Sequence, residues 1–373
     1  MGQHREILSL TGLRFVAALY VFVFHIQIRW PVTQIPFLKN IIEQGAVGMS
    51  VFFMLSGYLL MFNYSALSGG VKQYFINRFA RIYPIYFVAG LITLPWLGLS
   101  FDGAWSEIGL NTLKAAFIFF ANIFIIQAWF PQLFGYWNNS GSWSISVEVF
   151  CYALLPALVP YLNRLSKRGV LWLLVGLYIA SLMAGLSVKL FEGYGLPVFY
   201  AMPIFRLPEF VMGACLYLIV KKWRAPATIW VVQLAAMLVM FIYLGVVGGW
   251  MPIYTGHHWI VMPVVALTIY TLAVGRGPIT WILSRSLFVW FGKVSYCFYS
   301  FQALILFFLV SFHDRLINAF PALANGKILT LTAFICLTLL SALGYYLIEE
   351  PARRKIKKHM STESKLSGGL ALN

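Results

Sequence analysis

The chain has 373 residues and a net charge of +16, with 61% hydrophobic residues and only 10% charged ones. So low a charged fraction excludes an ordinary soluble domain, for which about 25% is usual. Lysines and arginines gathered between apolar runs read as a cytoplasmic, lipid-facing bias, not as nucleic-acid binding.

Apolar runs recur along the chain, each long enough to cross about 30 Å of hydrocarbon. They fall at residues 8–28, 45–64, 83–100, 112–130, 144–162, 169–188, 203–220, 227–247, 258–275, 287–311 and 328–349. The first holds Arg14 and has no small-residue cleavage site behind it, so it reads as a retained helix, not a signal peptide. Basic clusters occur at Lys72, Arg78 and Arg81; at Arg164, Lys167 and Arg168; at Lys221, Lys222 and Arg224; at Arg276 and Arg285; and from Arg353 to Lys358. These connections are cytoplasmic by the positive-inside rule. Between residues 82 and 163, three apolar runs join two such connections, where an even number of crossings is needed. The expectation is an all-α polytopic membrane protein of about ten transmembrane helices plus one re-entrant or interfacial segment, residues 112–130, with both termini cytoplasmic. Residues 1–352 are expected to form one transmembrane domain, and 353–373 a basic, then disordered, cytoplasmic tail. The four cysteines, Cys151, Cys215, Cys297 and Cys336, lie inside apolar runs without CxxC spacing, so neither disulfides nor a metal site is expected.

Charges inside a span are expensive and point to function. Arg14 and His25 are eleven residues apart. On a helix that separation returns to within about 20° of the same face and spans about 16 Å. Glu148 lies early in its run, at roughly the expected depth of His25, and has no basic partner nearby in sequence. It needs one from another helix, or a catalytic histidine. Arg206 and Glu209 are i,i+3 near the outer end of another run and face one way. Arg78 and Arg81 share a face of "YFINRFARIYP", an amphipathic segment ended by Pro84. Paired guanidiniums suit a phosphate-bearing ligand through bidentate contacts. Each group also has a plain reading: His25 as an interhelical hydrogen-bonder, Arg206 and Glu209 as a pair holding two helices, Arg78 and Arg81 as surface anchors. No P-loop, GxSxG, HExxH or GxGxxG occurs in a usable context.

In order, "TGLRFVAALYVFVFH", "GMSVFFMLSGYLL", "NRFARIYP", "GSWSISVEVFCY", "FRLPEFVMGA", "FGKVSYCFYSFQ" and "IEEPARRK" resemble the motifs of the acyltransferase-3 family, integral-membrane enzymes that modify bacterial surface polysaccharides. The resemblance covers nearly the whole chain. It departs at Gln302, where many members have histidine. It implies transfer of an acyl group, acetyl before succinyl, from cytoplasmic acyl-CoA to a sugar hydroxyl of an exopolysaccharide or O-antigen at a bacterial inner membrane. Peptidoglycan, secreted oligosaccharides and hydroxylated metabolites are alternative acceptors within the family. His25 would be the general base, a role suited to an imidazole titrating near pH 6.5. Arg14 would steer the pantetheine arm or polarise the thioester carbonyl. Glu148 would orient His25 or offset its charge, and Arg78 and Arg81 would hold the donor phosphates. Arg206, Glu209 and Trp143 would bind the acceptor or shape its cavity. Direct transfer is favoured over an acyl-enzyme on Ser56 or Ser144. Some members carry a fused extracytoplasmic domain after the last span; none follows here, so the acyl group is expected to be delivered directly or handed to a separate protein. The implied partners are acyl-CoA as donor substrate, the polysaccharide or lipid-linked sugar and membrane lipids, without nucleic acid, metal or a permanently bound cofactor; a homodimer is left open.

A proton-coupled carrier of a sugar or acyl-containing substrate is the rival reading, because buried Arg, His and Glu fit one too. Carriers usually show repeats, and no second copy of the Arg14/His25 stripe occurs in the other half. A scaffold subunit of an export complex, with charges that only pair helices, is the third.

Overall fold

The computed structural model describes residues 6–67, 69–190, 196–250, 256–356 and 358. These residues are all-helical, without strands. The helices are α1 (Leu8–Gln27), α2 (Pro36–Glu43), α3 (Val47–Tyr64), α4 (Gly70–Ile92), α5 (Trp105–Ile123), α6 (Asn139–Arg164) and α7 (Lys167–Leu190). They continue with α8 (Pro203–Lys222), α9 (Ile229–Val247), α10 (His258–Val274), α11 (Pro278–Leu283), α12 (Ser286–Ala319) and α13 (Gly326–Gly344).

Eight helices among the described residues are long and apolar enough to cross a membrane: α1, α3, α6, α7, α8, α9, α12 and α13. The expected count of about ten rests on two more. α10 is apolar but has only 17 residues, and α4 brings Lys72, Arg78 and Arg81 into its own length. α5 covers 105–123 where the sequence suggests 112–130. It packs Ala115, Ile118, Ala121 and Asn122 inward and leaves Leu113, Phe117, Phe120 and Ile123 exposed.

Three boundaries depart from the sequence expectation. Pro84 does not end a segment; it lies inside α4. A proline there removes an amide from the helix ladder, which membrane helices tolerate when neighbours re-satisfy the backbone. The carbonyl that loses its amide is that of Ala80, four residues back; nearby, Tyr296 ties α12 to α4 by donating to the Ile82 carbonyl at 2.8 Å. α12 itself has 34 residues. At 1.5 Å each that is about 51 Å, well beyond the hydrocarbon. α13 passes through a wide turn at Tyr345–Glu349 and continues to Ile356, past the expected end of its apolar run at 349. Of the expected tail, residues 357 and 359–373 lie outside the described residues.

Lipid tails are as apolar as leucine, so membrane helices associate by close packing at small residues. A Cβ on Gly57 of α3 would lie 1.8 Å from the Phe210 carbonyl oxygen, and one on Gly213 of α8 would lie 1.8 Å from that of Met54. Similar approaches bring Gly292 of α12 to Thr11 and Gly48 of α3 to Ala17, both on α1. Hence α1, α3, α8 and α12 form the buried centre, whereas α7, α9 and α13 expose most of their surface. Gly213→Ala is expected to force α3 and α8 apart and to cost about 1–3 kcal/mol. Thermal unfolding in detergent checks this; an unchanged midpoint would show that the two backbones are not in contact.

Candidate active site

His25 lies in the last turn of α1 and lines a cavity of about 410 Å³. Met49 of α3, Trp143 of α6, Tyr200, and Tyr299 and Gln302 of α12 complete its wall. His25 Nδ1 and Gln302 Oε1 are buried without a hydrogen-bond partner. Buried polar atoms are normally paired, so two orphans on one cavity mark it as a place for a polar ligand. Phe134, from the loop before α6, and Ser140 and Gly141, in the first turn of α6, also line the cavity. In that loop Trp137 has φ of 50°, uncommon for a bulky residue. Its indole donates to the Gly90 carbonyl and its amide to that of Leu97, both at 3.0 Å.

One level along the bundle, Arg14 lines a second pocket of about 20 Å³ with Phe52, Ser144, Glu148, Ser295 and Tyr296. Met49 and Tyr299 line both spaces and so stand between them. A space of this size holds about one water. Glu148 accepts from the Tyr152 hydroxyl at 2.9 Å and, more distantly, from Ser56 at 3.5 Å. Its cationic neighbours are Arg14, Arg81 and Arg78. The sequence places Glu148 at the depth of His25, and the structure corrects this. α6 delivers Trp143 to the His25 cavity, and Glu148 comes five residues later, about 7.5 Å further on. Glu148 therefore has arginines as its charged neighbours and lines the Arg14 pocket, not the His25 cavity.

Arg81 pairs with Glu349 at 3.6 Å, and Glu349 also accepts from Cys297 Sγ at 3.2 Å. Glu349 sits in the wide turn that interrupts the last helix, a loosening common at functional sites. Arg78 donates to the Tyr64 hydroxyl at 3.3 Å and lies over the rings of Tyr64 and Tyr152. Arg81 is thus not the free surface guanidinium that the sequence suggests, since α13 supplies a carboxylate. Arg78 Nε and Arg81 Nη2 are still buried without partners, which leaves donors for an anion.

Arg206 and Glu209 form a 3.0 Å ion pair, both fully buried. Arg206 also donates to Ser50 at 3.1 Å and lies over Phe53 and Tyr200. Neither residue lines a cavity described above, so direct contact with an acceptor is not what this geometry offers. The pair ties α8 to α3 and backs Tyr200, a wall residue of the His25 cavity. Trp143 does line that cavity, with its ring 4.7 Å from that of Tyr200.

A family model described as an acyltransferase domain matches residues 7–349. The chain belongs to the acyltransferase-3 family. It is therefore a membrane acyltransferase of groups other than aminoacyl groups. Among its relatives, "Acyltransferase MdmB" of Streptomyces mycarofaciens is 29% identical over 334 residues, covering 83% of this chain and 80% of that protein. "Putative O-acetyltransferase SACOL0978" of Staphylococcus aureus (strain COL) is 23% identical over 383 residues, covering 94% of this chain and 58% of that protein. "Putative acetyltransferase ORF330" of the Acidianus two-tailed virus is 26% identical over 211 residues, 56% of this chain and 57% of that protein. The alignments thus cover less than two thirds of the staphylococcal and viral proteins. No solved structure matches the chain.

Composition and spacing do not single out two residues at the heart of this acyltransferase, Tyr299 and Glu349. Signals for them exist. Ser295, Tyr299 and Gln302 are spaced i, i+4, i+7 and share a helix face. "IEEP" closes an apolar run with two acids, an expensive ending unless one of them has a buried partner.

Proposed function

We propose that this acyltransferase moves an acetyl group from cytoplasmic acetyl-CoA to a hydroxyl of a polysaccharide or lipid-linked sugar at a bacterial inner membrane. About ten crossings and cytoplasmic termini go with this reading. The observation that carries it is a shared wall: a cavity lined by His25, whose Nδ1 is unpartnered among the described residues, and a small pocket lined by Arg14 have Met49 and Tyr299 in common, and we take these two residues as the neck between acceptor and donor. The names of the staphylococcal relatives support acetyl as the group transferred to oxygen.

Arg78 and Arg81 hold the donor phosphates through the guanidinium nitrogens that lack partners. Arg14 lines the small pocket but not the His25 cavity, so it steers the pantetheine arm on the donor side. Glu148, bonded to Tyr152, holds the field of the arginines in place. The thioester reaches the neck, and the acceptor sits in the larger cavity against Trp143. His25 takes the proton of the attacking hydroxyl. Arg206 and Glu209 keep Tyr200 and α3 in position.

Radiolabelled acetyl-CoA supplied to inverted membrane vesicles is expected to label extractable glycolipid or polysaccharide. Labelling from intact, right-side-out vesicles alone would overturn the cytoplasmic donor; uptake of label without covalent attachment would favour a carrier. Arg14→Ala is expected to raise KM for acetyl-CoA about 10–150-fold, the size of one lost charge-assisted contact of about 1.5–3 kcal/mol. An unchanged KM would remove Arg14 from the donor path.

A further inference from the structure

Attack on a thioester puts negative charge on the carbonyl oxygen, and stabilising that charge is usually the largest single contribution to acyl transfer. His25 lines only the acceptor cavity and Arg14 only the donor pocket. We propose that the hydroxyl of Tyr299 is the hydrogen-bond donor to this oxyanion, and that Ser144 positions it; the assignment rests on the reaction proposed above.

Of the residues that line both spaces, Tyr299 is the polar one. Its hydroxyl accepts from Ser144 Oγ at 2.8 Å, so its own proton is left to point into the neck. The other tyrosines of the donor side have theirs committed. Tyr296 donates to the Ile82 carbonyl at 2.8 Å, and Tyr152 donates to Glu148 at 2.9 Å. Gln302 lines the acceptor cavity alone. Tyr299 is also rigidly placed. It is 9% exposed, lies mid-way along α12, and packs its ring 5.9 Å from that of Phe52. A fixed donor in a space with room for about one water costs little reorganisation as charge develops.

The acceptor O–H breaks as its proton passes to His25, and the new O–C bond forms at the thioester carbon. The carbonyl electron pair moves onto oxygen, where the Tyr299 O–H donates a hydrogen bond without giving up its proton. Collapse re-forms the carbonyl and breaks the C–S bond, and the departing CoA thiolate takes the proton from the His25 imidazolium.

The test measures thiol release from acetyl-CoA by membranes holding the full chain, with mild-alkali-treated bacterial envelope extract as acceptor probe. Tyr299→Phe is expected to lower kcat about 10²–10³-fold, with KM for acetyl-CoA held within about twofold. Ser144→Ala is expected to lower kcat about tenfold, as the donor loses its orientation. Fluorinated tyrosine at position 299 keeps nearly the same shape and has a more polarised O–H, a stronger hydrogen-bond donor; it is expected to raise kcat about twofold or more with KM for acetyl-CoA unchanged. A residue that only walls the cavity would leave kcat in place. Wild-type kcat in Tyr299→Phe, a loss carried wholly by KM, or an unchanged kcat in the fluorotyrosine enzyme would each overturn the assignment while the acetyl-CoA reading stands. No acetyl-CoA-dependent thiol release by the wild type would overturn that reading, and Tyr299 with it. Should the phenylalanine variant be absent from the membrane, the fluorotyrosine enzyme decides.

Discussion

Replacing His25 with alanine is expected to lower acyl transfer about 10²–10⁴-fold, the usual contribution of a positioned general base. The amount of protein in the membrane should not change. The reason is structural: among the described residues Nδ1 of His25 has no partner, so its removal breaks no hydrogen bond of that nitrogen. What Arg29 takes from this position is the backbone carbonyl, which alanine keeps. His25→Gln retains polarity and much of the shape but cannot act as a base, so it should be as inactive as alanine. Radiolabel transfer and an immunoblot of the same membranes separate the outcomes. Loss of the protein itself would make His25 a structural residue, and retained transfer would remove it from the chemistry.

Glu349→Ala is expected to destabilise the protein by about 3–5 kcal/mol, because it leaves a largely buried guanidinium without its carboxylate. Arg81 is 20% exposed and Glu349 fully buried, so water does not replace the lost partner well. Thermal unfolding in detergent measures the effect. The double change Arg81→Met with Glu349→Leu removes both charges and should recover most of the stability, as apolar replacements of buried pairs often do. It should still bind acetyl-CoA weakly, since the unpartnered Nη2 of Arg81 goes with it. A wild-type unfolding midpoint for Glu349→Ala would show that the pair contributes nothing. Wild-type donor affinity in the double variant would show that Arg81 holds no phosphate.

These expectations draw unequally on sequence and structure. The Arg14/His25 stripe is legible in the sequence because both residues share one helix, where angle and rise per residue are set by local geometry. The same holds for the i,i+3 relation of Arg206 and Glu209, although the sequence leaves open whether the pair meets a ligand. The structure buries both fully, against Ser50 and Tyr200 and away from the cavity wall. Glu148 and Arg81 went to other partners for a common reason. A charge in a dry interior takes the nearest opposite charge, and that neighbour comes from whichever helix packs there. For Arg81 it is Glu349, and for Glu148 the arginines of α1 and α4. The neck is of the same kind, since Ser144 and Tyr299 are 155 residues apart.

By itself, then, the sequence determined an all-helical membrane chain, most of its apolar spans, and the stripe that carries a base and a cation, all properties of single helices. Which polar groups share a cavity, which guanidinium is paired with a carboxylate, and which tyrosine stands between the two spaces were decided only in the tertiary structure. Those depend on the small-residue crossings that bring α1, α3, α6 and α12 together, and such crossings join residues that no local periodicity relates.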